Sequence, residues 1–135
     1  VELSITNSKI GTKGMKTLCD GLKINKNISE VDLRLNEFGA EEIEPFADLL
    51  KINNSTTVIN LFGNYLGPEG AKVLAEGLKL NKSLAKVDLH DNKIGDEGVK
   101  ALAESLRINT SLTSVDLKRN RIGKQGLEAL AESLK

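Results

Sequence analysis

Apolar residues in this chain follow two spacings that take turns. In the stretch Ser83–Asn109, Val87 and Leu89 stand two apart, the period of a strand with one buried face. A polar turn at Asp91-Asn92 and the pair Ile94-Gly95 follow. Val99, Leu102, Ala103 and Leu106 then recur at i, i+3, i+4 and i+7, the stripe of a helix. The same text returns at a step of 28 residues, marked by Asn36, Asn64, Asn92 and Asn120, with Ser8 in the same phase. Five copies are present, the first and last incomplete, with no insertion between them. The pattern predicts strands near residues 3–5, 31–33, 59–61, 87–89 and 115–117, with helices over most of the intervening segments.

The helix faces read Met15, Leu18, Cys19, Leu22; Ile43, Phe46, Ala47, Leu50; Ala71, Leu74, Ala75, Leu78; and, last, Leu127, Leu130, Ala131, Leu134. One small residue per helix marks a close approach to the sheet or to a neighbouring helix. Each full helix stops near Asn25, Asn53, Asn81 or Asn109, where asparagine is expected to take the left-handed conformation that ends helices. The second copy departs from the others. Glu42 replaces the glycine found at Gly14, Gly70, Gly98 and Gly126, and Thr56 replaces an apolar residue. Pro45, placed within the first turn, predicts a late or loosened helix start.

One strand and one helix cannot bury their apolar faces alone, but stacked neighbours can. Strand–helix–strand units with short connections also make the strands parallel. The pattern LxxLxLxxN, in phase in all five copies, resembles a leucine-rich repeat. Its length and full helix resemble the ribonuclease-inhibitor-like type, shared by repeat domains of NOD-like receptors and Ran GTPase-activating proteins. The resemblance implies an α/β solenoid, a horseshoe segment with parallel strands on the concave face and helices on the convex face. Residues 1–135 are then a single leucine-rich-repeat domain, expected to be part of a longer array. Leu117, Ile122, Leu130 and Leu134 would lack a covering repeat, so self-association through open ends is a further expectation.

Composition narrows the function. Lys plus Arg and Asp plus Glu each total 19, so the basic excess of a nucleic-acid binder is missing. No apolar run reaches the ~18 residues that a membrane span needs. Cys19 is the only cysteine, which suits a reducing compartment. The cytoplasm is expected, whether the producing cell's own or, for a bacterial protein, that of a host into which it is delivered.

The chemistry-bearing residues mostly have structural readings. The asparagine column is expected to turn inward and satisfy loop backbone groups. Asn27, Asn53, Asn54, Asn81 and Asn109 match the N-x-S/T pattern, and three of these are the helix-ending asparagine recurring with its repeat. His90 is the only histidine, between Asp88 and Asp91, with Phe62 and Lys118 in its register. No second histidine, phosphate loop or nucleophile set accompanies it, so no enzyme, metal site or cofactor is expected. Asp32, Asp88 and Asp116 line up on successive strands, with Asn60 interrupting. Lys86, Lys118 and Arg119 are placed to compensate them.

The functional expectation is a protein-binding scaffold that presents its concave face to a protein partner. Regulation of a small GTPase, as in Ran GTPase-activating proteins, is the alternative, and an enzyme centred on His90 ranks last. Strand alternation puts Arg34, Leu35, Val58, Phe62, Asp88, His90 and Lys118 on the concave face. Leu35, Val58 and Phe62 are its apolar members, and with Arg34 beside them they form the expected partner-binding cluster.

Overall fold

The computed structural model describes all residues, 1–135. Five strands and five helices alternate: β1 (Glu2–Ser4), α1 (Gly11–Ile24), β2 (Glu30–Asp32), α2 (Ala40–Leu50), β3 (Val58–Asn60), α3 (Gly67–Leu80), β4 (Lys86–Asp88), α4 (Gly95–Ile108), β5 (Ser114–Asp116) and α5 (Lys124–Ser133). The strands form one parallel sheet in sequence order. Register advances by one repeat per strand, so Leu3, Val31, Ile59, Val87 and Val115 are neighbours in a row. Each strand begins one residue before the position expected from the sequence. The ladder nevertheless runs on through the expected residues, with Ile5 N–H donating to Asp32 O at 2.9 Å and Leu33 N–H to Asn60 O at 2.9 Å.

Burial follows the two apolar periods. Leu33, Leu61 and Leu89 from the strand ends meet Phe46, Leu74 and Leu102 from the helices in one continuous core. Phe38, Leu66 and Ile94, the apolar residues after each turn, close the core at one edge. The helix position of Met15, Val99 and Leu127 is covered by the repeat that follows, so Leu127 in the last layer is exposed, whereas Met15 and Val99, each with a following repeat, are fully buried. Leu134 lies beyond the end of α5 and is exposed as well.

Two asparagine ladders join the repeats. Asn64 Oδ1 accepts the N–H of Asn36 and of Phe38, both at 3.0 Å, while its Nδ2 donates to Leu33 O at 3.1 Å and Leu61 O at 2.9 Å. Asn120 repeats this arrangement in full, Asn36 and Asn92 do so with one accepted N–H each, from Ser8 and Leu66, and all four are buried. The column is structural, as expected. The helix-ending asparagines differ from expectation. Asn25, Asn81 and Asn109 have extended backbones, with φ of −76°, −72° and −67°. They end their helices through the side chain: Asn81 Oδ1 accepts from Ser83 N–H (3.0 Å) and Leu84 N–H (2.8 Å). Asn81 Nδ2 meanwhile reaches back to Leu50 O at 3.0 Å.

The second repeat also differs from expectation. Pro45 is the sixth residue of α2, beyond the first turn, so its missing N–H does remove one bond, to the carbonyl of exposed Glu41. The late start has another origin. The carboxylate of Glu42 accepts the N–H of Gly39 at 2.9 Å, which holds Gly39 extended as the residue before the helix. Gly123 precedes α5 in the same way, its N–H taken by Asp96 Oδ1 at 2.6 Å.

Candidate functional site

The sheet face turned away from the helices is built by a side-chain device that recurs in four repeats. Asp32 Oδ1 accepts the N–H of Arg34 (3.2 Å), Asn60 that of Phe62 (3.0 Å), Asp88 that of His90 (2.9 Å) and Asp116 that of Lys118 (3.0 Å). A short oxygen acceptor two residues ahead fixes the chain as it leaves the strand. The next residue then turns left-handed: Leu35 at φ 57°, Gly63 at 68°, Asp91 at 57° and Arg119 at 53°. For Leu35 this backbone costs about 1–2 kcal/mol against an ordinary conformation. Its N–H gains a bond to Phe62 O at 3.0 Å.

The expected partner-binding residues divide into separate groups. Leu35 is 46% exposed. Its side chain lies over Gly63, where a Cβ would meet Leu35 Cδ2 at 2.5 Å. Phe62, the residue before Gly63, is half-buried and stacks on His90 with ring centroids 4.9 Å apart. Leu35, Phe62 and His90 therefore form one neighbourhood. Val58 is not part of it, because four residues of strand, roughly 13 Å, separate it from Phe62. It stands instead in register between Glu30 and Lys86.

The cations are tied to their own repeats. Arg34 grips Asp32 through Nε (3.0 Å to both oxygens) and through its terminal nitrogen (2.8 Å), and that carboxylate raises the guanidinium pKa further. Lys118 Nζ lies 3.3 Å from Asp116 Oδ2. The carboxyl of Asp116 is held below its ordinary pKa, first by the backbone N–H of Lys118 and then by its ammonium. Asp88 has no ion pair.

Two further residues stand near these groups, Tyr65 in the turn after β3 and Asp116 on β5. Tyr65 is exposed, with Lys93 Nζ 5.0 Å from the ring centroid. Asp116 pairs with Asp88 across β4 and β5. With His90 these two aspartates form a group whose ligand atoms lie within 4.8 Å of one another. Strand alternation plus the repeat step was the signal for Asp116, since it shares a phase with Asp88.

The opposite side of the molecule offers a groove of about 450 Å³ between α1 and α2, lined by Lys16, Cys19, Asp20, Pro45 and Asp48 among others. In α2, buried Leu49 occupies the phase that Gly77 holds in α3. Gly77 allows close contact with α2, for a Cβ there would sit 2.6 Å from Ala47 O. Burial pushes the Cys19 thiol up to about 11.

The model of the family described as "Leucine Rich repeat" matches residues 53–75, 80–103 and 109–131. Among solved structures, the tropomodulin C-terminal domain of Caenorhabditis elegans superposes with a TM-score of 0.80 at 19% identity, covering 98% of this chain and 81% of that one. Leiomodin-1 actin-binding site 2 superposes with a TM-score of 0.79 at 19% identity, covering 98% and 80%. No curated protein sequence matches the chain. Neither the family match nor these two structures supports the reading as a GTPase regulator.

Proposed function

Because this chain belongs to the leucine-rich repeat family, we propose that it is a protein-binding scaffold whose partner docks on the concave sheet face. One observation carries the reading: Leu35 and Phe62 stand together, not fully buried, on a face whose other strand positions are polar apart from Val58, which lies at a distance from them. An apolar pair of this kind beside charged groups is the usual form of an interface hot spot. The surrounding backbone is held by the turn bonds and the asparagine ladder, so binding would order little that is not already ordered.

The 28-residue step with a full helix in most copies supports the ribonuclease-inhibitor-like type and one repeat domain over residues 1–135. A single, buried, unpaired cysteine supports the cytoplasm as the working compartment. The enzyme reading centred on His90 has only the adjacent carboxylates in its favour. Arg34 and Lys118 act as rim charges, each already partly satisfied by its own aspartate.

Leiomodin-1 contributes an actin-binding site on this fold, which makes actin the first defined protein to test. Wild type and the variant Leu35→Ala/Phe62→Ala are compared by co-sedimentation with actin filaments and by capture from cell lysate with quantitative mass spectrometry. The reading expects a protein retained by wild type and lost by a folded variant. Partners retained equally by both forms would remove the binding site from this face.

A further inference from the structure

Strand geometry places three metal-ligating side chains together outside the Leu35–Phe62 pair. Asp88 and His90 are two residues apart, and Asp116 faces Asp88 in register on the next strand. One imidazole nitrogen and two carboxylate oxygens come within 4.8 Å of one another. We propose that Asp88, His90 and Asp116 bind a divalent transition-metal ion of the Zn²⁺ type.

The free valences of these groups fit that assignment. Each aspartate gives Oδ1 to the amide of its own turn, at 2.9 and 3.0 Å, which leaves Oδ2 available. Asp88 Oδ2 has no protein partner. Asp116 Oδ2 meets Lys118 Nζ at 3.3 Å, and the Lys118 side chain is 74% exposed and free to swing into solvent. A second observation is independent of the carboxylates. His90 Nε2 is the one buried side-chain polar atom in the chain without a hydrogen-bond partner. An orphaned buried nitrogen costs free energy that coordination would recover. The ring stacked on Phe62 at 4.9 Å is already restrained for that role.

Charge points the same way. Like charges opposite each other on neighbouring strands destabilise a sheet. In the second repeat Arg34 neutralises Asp32, and in the third the position is the neutral Asn60. At Asp88 and Asp116 two carboxylates stand side by side and only Asp116 has a lysine, Lys118, so a dication that displaced this ammonium would balance both charges. A tetrahedral ion with bonds of ~2.0–2.2 Å needs donors roughly 3.3–3.6 Å apart, a closure of about 1 Å that side-chain rotation supplies. One imidazole with two carboxylates suits zinc, manganese or cobalt better than calcium or magnesium, which prefer all-oxygen shells. Three protein donors leave one position for water. The assignment does not depend on the protein-binding reading.

The test is titration of the full chain with Zn²⁺ alone, followed by calorimetry and by NMR. His90 is the only histidine, so its imidazole protons give one unambiguous pair of signals. Uptake of one ion per chain with movement of those signals is expected. His90→Phe, which keeps the ring stack, should abolish uptake. Asp88→Asn should weaken it at least tenfold. That second variant preserves the turn, because Asn60 in the same phase already accepts the N–H of Phe62 at 3.0 Å. It decides the matter alone if His90→Phe does not fold. Absence of uptake at millimolar Zn²⁺, uptake with unmoved imidazole signals, or wild-type affinity in Asp88→Asn would each overturn the assignment.

Discussion

Replacing Asn64 by Ala removes one buried amide and strands two backbone groups, the N–H of Asn36 and of Phe38, while the carbonyls of Leu33 and Leu61 lose one donor each and keep Asn36 Nδ2 and Asn92 Nδ2. Asn64 is 1% exposed, so bulk water does not reach them in the folded state. An unsatisfied buried group costs about 1–3 kcal/mol, which sets an upper range of roughly 2–6 kcal/mol for two. A water entering the vacated space would recover part of that loss. The net loss expected is therefore about 2–4 kcal/mol, a large share of the ~5–15 kcal/mol that stabilises a typical domain. Urea unfolding followed by far-UV circular dichroism measures it. Asn54→Ala is the control, since Asn54 is exposed, and it should shift stability by no more than about 0.5 kcal/mol. A loss below about 1 kcal/mol for Asn64→Ala would refute the claim that the asparagine column holds the fold together.

Phe62→Ala should weaken partner binding by about 2 kcal/mol, read by calorimetry, with only a small change in melting temperature. A large stability loss instead would assign the ring to packing. Gly77→Ala should destabilise clearly in thermal melts, because its Cβ would press to 2.6 Å from the Ala47 carbonyl. Gly21→Ala, in the same phase of α1 with nothing within 4 Å, should stabilise by about 0.5–1 kcal/mol. The Cys19 thiol, buried and raised to about 11, should react with a disulfide reagent at neutral pH only as fast as the chain opens. Reaction at the rate of a free thiol would show that the α1–α2 groove admits the reagent directly.

The repeat step and the two apolar periods contained the strand order, the helix faces and the inward asparagine column. Periodicity is a property of which side a residue faces, and those features depend on sides alone. Other features depend on where a side chain bonds. Asn25, Asn81 and Asn109 end helices with extended backbones because their amides cap the following loop, which a propensity for left-handed turns does not reveal. The left-handed residues include Leu35, Glu37, Lys93, Arg119 and Arg121, types that give no warning of that conformation. Alternation put Val58 on the same face as Phe62 without giving the distance along the strand between them. Arg34 was legible as a neighbour of Leu35, yet its closure onto Asp32 is a rotamer choice. Asp116 was visible in its column, but its convergence with Asp88 and His90 needed the side-chain positions.

The asparagine ladder also has a direction. Asn64 satisfies groups in the second repeat, Asn92 reaches Leu61 and Leu66 in the third, and Asn120 serves Leu89, Asn92 and Ile94 in the fourth. Each turn is thus completed by an amide that lies a full repeat later in the chain. On a ribosome, where the chain emerges from its amino end, a repeat would lack those bonds until its successor had been made. Maturation then trails synthesis by one repeat, and the newest turn is always the one still open to water.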